Sequence, residues 1–126
     1  MLSPGVAFTQ ADVRAVQLAK AAIRAGIDLL LETNKIQPDA IELVLIAGAF
    51  GEYLGIEAAL AIGLLPRIAL ERIEQVGNAA GSGVALALAS AASRARAAEL
   101  AAGCHYLELG TLPQFQKTFV RRIGFD

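Results

Sequence analysis

From Ile41 to Ala47 the chain is almost continuously apolar, and it then stops in Gly48-Ala-Phe-Gly51 before turning amphipathic. A run of that length bounded by glycine suits a strand covered on both faces, and helical segments flank it in the sequence. A strand lying between helices points to an α/β layer with a largely parallel sheet. That one junction constrains the fold more than any other stretch.

The segments around it bear this out as a pattern. Thr9-Gln-Ala-Asp12 has the form of a capping box, with Thr9 accepting from the first-turn amides and Asp12 complementing the positive helix end. The helix it opens is expected to run to about Thr33, with Asn34 as its stop and Pro38 beyond. Its apolar stripe reads Val13, Val16, Ile23, Ile27 and Leu30, with Lys20 in the gap. A short helix follows over about Ile56 to Ile62, closed by Gly63. Arg72 to Gly77 reads as a second strand, and Asn78 is placed to cap an Ala-rich helix reaching about Ala91. A further helix stops at Gly103, Cys104 to Leu109 reads as a third strand, and Thr111-Leu-Pro-Gln114 has the form of a second capping box. The helix after it is expected to bury Phe115, Phe119 and Ile123.

The 126 residues fit one domain, and with 56% apolar and 18% charged residues they can bury a core. A net charge of −1 with no basic run argues against a nucleic-acid surface. Cys104 is the only cysteine, which excludes an internal disulfide and an iron–sulfur cluster and fits a reducing, cytoplasmic setting. No signal peptide opens the sequence. The uncharged stretch Val76 to Ser93 is 18 residues long but is mostly Ala, Gly, Ser and Asn, so a close-packed helix is expected there, with no membrane partner. A sheet of three strands is small. Either another chain completes it, or residues 1–126 form one domain of a larger protein.

In open α/β sheets ligands sit where strand carboxyl ends meet helix starts. Gly48 and Gly51 permit close backbone approach, and helix-start amides favour an anion; the same glycines also serve a plain strand-to-helix turn. Gln17, Lys20 and Arg24 lie three and four residues apart and share a helix face. They edge a cleft, or Lys20 snorkels its stem to water. "VGNAAGSG" supplies a second junction of small residues. Cys104 and His105 are adjacent, and on a strand they would point to opposite faces. One His and one Cys fall short of a metal site. Glu71 and Glu74 read as a solvated surface.

"RAVQLAKAAI", "VLIAGAFG" and "VGNAAGSGVALA" occur in the order expected of the second lobe of the actin-like ATPase (ASKHA, ribonuclease H-like) superfamily. They resemble its adenosine-clamping helix, its adenosine motif and its lobe-connecting helix. The chain is more closely similar to the carboxy-terminal domain of the reductive activators of corrinoid-dependent proteins, with "FTQADVRAVQLAKAAIRAGI", "LIAGAFGEYL", "AIGLLP", "VGNAAGSG" and "YLELGTLPQFQKTFVRRIGF" carrying the likeness across residues 8 to 125.

That resemblance implies an adenine-nucleotide-binding part of an ATP-dependent activator that reduces an inactive Co(II) corrinoid protein. ATP or ADP would be bound with Mg in the full-length protein, and a 2Fe–2S cluster would sit only in a separate amino-terminal domain. Gly48, Ala49, Phe50 and Gly51 would line the adenosine and α-phosphate. Gln17 and Lys20 would hold the ribose or adenine edge, with Arg24 beside them. Gly77 to Ala80 would form the lobe junction.

Ala49 stands where the superfamily usually has a second glycine, and the Asp-bearing phosphate loops of the other lobe have no counterpart here. The chain alone is therefore expected to be inactive. Two readings remain open: a nucleotide-binding half-site, or a non-catalytic dimerisation or docking module that has lost the nucleotide. A homodimer is expected in isolation, through a strand edge or the helix bearing Val84 and Leu88.

Overall fold

The computed structural model describes residues 6–125. Helix α1, Gln10–Thr33, opens on the Thr9 capping box: the Asp12 amide donates to the Thr9 hydroxyl oxygen, and the Thr9 amide donates to the Asp12 carboxylate at 2.8 Å. The hydrogen bonds from the Thr9 hydroxyl and amide hold the Asp12 carboxyl below its ordinary value. The helix ends at Asn34, whose side-chain amide donates to the Leu30 carbonyl, and the left-handed backbone that turns the chain falls on Lys35 (φ 56°).

Two parallel strands follow, β1 (Val44–Ala47) and β2 (Ile73–Gly77), with Val44 opposite Ile73 and a register shift between Ile46 and Ala47. Between them lie α2 (Ala49–Tyr53) and α3 (Ile56–Ala61). Ala59, Leu64 and Leu65 form a small buried cluster there, and Ile27, Ile46 and Ile73 pack against it. After β2 come α4 (Ala79–Ala89) and α5 (Ala91–Gly103), and α6 (Pro113–Arg121) packs back against α1.

Four sequence expectations are corrected. Residues 104–108 form no strand: no neighbouring strand supplies a ladder, and Tyr106 stands in solvent. The sheet therefore has two strands among the described residues. The last helix is not opened by a Thr111 capping box. Its N-cap is Leu112, with Pro113 in the first turn, and the Thr111 hydroxyl donates instead to the Glu108 carbonyl at 2.9 Å. The Ala-rich helix ends at Ala89, because Ser90 is extended and caps α5 by accepting from the Ser93 amide.

The fourth correction concerns which face of α1 is buried. Val16, Ile23 and Leu30 are each more than a third exposed, whereas Lys20, Ala21, Arg24, Ala25 and Leu29 are buried. The burial axis passes through the small residues because α6 and the chain after it press there, and Gly26 admits the Leu109 side chain. In α6 the buried residue is Thr118, and Phe115 and Phe119 stack on one another half-buried.

Helix α4 has no buried residue, and Val84, Leu86 and Leu88 are each at least 60% exposed. It packs chiefly along α5, where the Arg94 guanidinium donates to the Ala87 carbonyl at 2.7 Å. No helix among the described residues is long and apolar enough to cross a membrane.

Candidate functional site at the carboxyl ends of the strands

The carboxyl ends of β1 and β2 each break into a helix through a glycine with positive φ: Gly48 at 90° and Gly77 at 57°. The Gly48 amide donates to the Gly77 carbonyl at 2.7 Å, so the two turns are fastened side by side. Neither position has atoms near a built Cβ, so the backbone angle alone selects glycine at both. The register shift at Ile46–Ala47 lies directly beneath, where a bulge re-aims the strand end.

Gly51 is selected by a different force. It is buried, and a Cβ there would come 2.5 Å from the Ile46 Cγ2 and 3.5 Å from the Ile46 carbonyl carbon. The absent side chain lets α2 lie directly on β1. A residue not singled out from the sequence locks this arrangement: the Gln75 side-chain amide on β2 donates to the carbonyls of Gly51, Glu52 and Leu54, the last at 3.0 Å. It thereby adds a donor to the carbonyls at the end of α2, of which Gly51's already accepts from the Leu54 amide. On the second junction, Asn78 caps α4 by accepting from the Gly81 amide at 2.9 Å.

Between α1 and this turn lie two adjoining cavities. One, of about 470 Å³, is walled by Val16, Ala19, the Lys20 stem, Ile23, Phe50 and Leu54. The other, of about 570 Å³, runs along β1 to Gly48, Ala49, Phe50 and Gly51. Ile23, Phe50 and Leu54 belong to both, so Phe50, which is 73% exposed, stands where they meet. The cleft is apolar, with backbone polar groups concentrated at the glycine turn. That is a surface for a flat, largely apolar ring with a polar tail.

The three polar residues of α1 are not brought together. Lys20 is 1% exposed, and its ammonium donates to the Gly124 carbonyl and lies 5.8 Å from the centre of the Phe125 ring. Only its stem faces the cleft. Arg24 is absent from the walls of both cavities, and donates from Nε to Asp28 at 2.9 Å and from Nη1 to the Leu65 carbonyl at 2.8 Å. Gln17 is half-buried and is absent from the walls of both cavities.

Asp28, which the sequence pattern does not distinguish, joins Arg24 to Arg122, the C-cap of α6, at 2.9 and 2.7 Å. Burial alone would raise its carboxyl, but the hydrogen bonds and charges of the two guanidinium groups outweigh that and hold it below the ordinary value. The group ties α6 to α1. Elsewhere, Cys104 is exposed, and no cluster of three or more His, Cys, Asp or Glu occurs among the described residues.

Residues 2–125 match a family model described as the C-terminal domain of RACo, the ASKHA domain. The chain is 41% identical over 120 residues to the corrinoid activation enzyme RamQ of Eubacterium limosum, covering 95% of this chain and 20% of that protein. It is 35% identical over 78 residues to the [Co(II) methylated amine-specific corrinoid protein] reductase of Methanosarcina barkeri, covering 62% of this chain and 14% of that one. A solved structure titled reductive activator for corrinoid, iron-sulfur protein superposes with a TM-score of 0.85 at 39% identity, over 94% of this chain and 19% of its own. The chain thus spans about a fifth of the length of these relatives or less.

Proposed function

Because the chain belongs to the family of the C-terminal ASKHA domain of RACo, we propose that it is the nucleotide-holding part of an ATP-dependent reductive activator of corrinoid proteins. The observation that carries this is the apolar cleft between α1 and the Gly48–Gly51 turn, with Phe50 at its centre.

In this reading the adenine lies on the Phe50 ring, against Val16 and Ile23. Gly48 and Ala49 let the sugar and α-phosphate approach the backbone, because no side chain longer than a methyl stands there. The Lys20 stem forms one wall, and its ammonium, held by the Gly124 carbonyl, fixes the C-terminal segment rather than a phosphate. Gln17 lies outside the walls of both cavities and is assigned no contact with the nucleotide. Arg24 acts from outside the cleft by holding the carbonyl of Leu65, a residue that lines it.

Bound ATP supplies the free energy for an uphill one-electron reduction of a Co(II) corrinoid. The γ-phosphate and its Mg²⁺ need charged groups that the cleft does not contain, so those fall to the remaining lobe of the ATPase, and the electron to an iron–sulfur domain. The present chain binds, orients and excludes water.

A second reading, assembly without nucleotide, is favoured by one observation: α4 exposes Leu86 and Leu88 and buries no residue. The two readings separate in a complementation assay. A RamQ-like activator lacking the segment that matches this chain is supplemented with it, and ATP-dependent conversion of the Co(II) corrinoid protein to Co(I) is followed by absorbance. Restoration by the parent chain but not by Phe50→Ala supports nucleotide holding. Equal restoration by both leaves assembly as the function, and association without restoration refutes both.

A further inference from the structure

Separate from the nucleotide cleft, the surface carries an arginine-lined trough. A cavity of about 490 Å³ is walled by Arg24, Pro38, Asp39, Pro66, Arg67 and Arg122. It continues into a second of about 310 Å³ that shares Pro38, Asp39 and Arg67 and adds Arg72. Four of the chain's 11 basic residues meet here, opposed by Asp39 and by Asp28 beneath the wall. The trough therefore has a positive excess within a chain whose net charge is −1.

The four arginines divide by role. Arg24 and Arg122 are committed to Asp28 and form the wall. Arg72 donates from Nη1 to the Asp39 and Ile41 carbonyls at 3.3 and 3.1 Å, which fixes its guanidinium plane while its other nitrogens bear further donors. Arg67 is exposed, and its side chain makes no hydrogen bond or ion pair among the described residues. A fixed guanidinium and one with all its donors open beside one channel suit carboxylates, which accept two parallel N–H bonds from each fork. Pro38 and Pro66 add walls without amide donors, which leaves the arginine forks as the distinctive donors of the trough.

We propose that this trough docks a carboxylate-rich segment of a partner protein, with Arg67 and Arg72 as the pairing side chains. It shares no lining residue with the nucleotide cleft and does not depend on nucleotide binding.

The test is fluorescence anisotropy of a short fluorescein-labelled Glu-rich peptide titrated with the whole chain at low and at physiological salt. Binding should weaken by about tenfold across that salt change, because exposed charges are screened over roughly 10 Å. Arg67→Glu should weaken it by about tenfold more, since like charge then faces the peptide. Arg67→Gln should fall between, and Arg14→Glu, on the opening turns of α1, should leave binding unchanged. Retained thermal unfolding of the Arg67 variants shows that the fold is intact. The proposal is overturned if the parent does not bind the peptide at low salt, or if Arg14→Glu weakens binding as much as Arg67→Glu. Displacement of the peptide by an equal or lower concentration of pyrophosphate would also overturn it, assigning the trough to small anions.

Discussion

Replacing Gly51 by alanine should destabilise the chain, and the same replacement at Gly83 should stabilise it. Both glycines lie in helices, Gly51 in α2 and Gly83 in α4, where alanine is intrinsically favoured by about 1 kcal/mol. Space separates them. A Cβ on Gly83 meets no atom within 4 Å, while one on Gly51 would stand 2.5 Å from the Ile46 Cγ2. Restoring an ordinary contact requires α2 to retreat from β1 by about an ångström. The Gln75 amide resists that retreat because it holds three carbonyls at the end of α2. Overpacking of this kind costs about 1–3 kcal/mol. After the gain in helix propensity, Gly51→Ala should lose about 0–2 kcal/mol, whereas Gly83→Ala should gain about 0.5–1 kcal/mol. Urea denaturation with a common slope reads both, and the expected Tm shifts have opposite signs. Adding Ile46→Ala removes the opposing methyl, so the double variant should be more stable than the sum of the two single losses predicts. A Gly51→Ala as stabilising as Gly83→Ala would refute the close contact of α2 with β1, and with it the reason for a second glycine in the turn.

Three further outcomes follow from named contacts. The Asp28 carboxyl is depressed in the folded state, so its contribution is present above the unfolded carboxylate value of about 3.9 and disappears as pH falls through the lower folded value. Asp28→Asn should therefore lose about 1–3 kcal/mol at neutral pH by leaving Arg24 without its carboxylate, and the difference from the parent should shrink in urea melts below about pH 4. Asn78→Ala removes the acceptor for the Gly81 amide and should cost about 1 kcal/mol, read as a lowered denaturation midpoint. Replacing Leu86 and Leu88 by glutamate should abolish self-association by sedimentation if α4 is the contact; an unchanged oligomeric state would move the contact to a strand edge.

The junctions were legible in the sequence because their causes are local. Thr9 and Asp12 sit three apart and cap α1; Asn34 stops it; Gly48 and Gly77 mark turns that only a positive φ completes. Periodicity misjudged α1 because burial there is decided by distant partners. Gly124 receives Lys20 and Leu65 receives Arg24 across 104 and 41 residues, and no local pattern announces either carbonyl. The same blindness hid Gln75, whose partners lie 21 to 24 residues away. Residues 104–108 had the composition of a strand but no strand to pair with, and pairing is a tertiary event. Helix α4 was apolar on every side, which signals a covered helix without saying by what.

The central claim, that the cleft at Phe50 holds an adenine nucleotide, is tested most directly by calorimetric titration of this chain with ATP and with ADP, beside Ala49→Gly and Phe50→Ala. The account predicts saturable one-to-one binding with a dissociation constant of about 1 mM or tighter, equivalent to at least about 4 kcal/mol. Ala49→Gly should bind as well or better, and Phe50→Ala should lose about tenfold or more as the aromatic surface is removed. Absence of binding by both the parent and Ala49→Gly, or unchanged binding by Phe50→Ala, would contradict it.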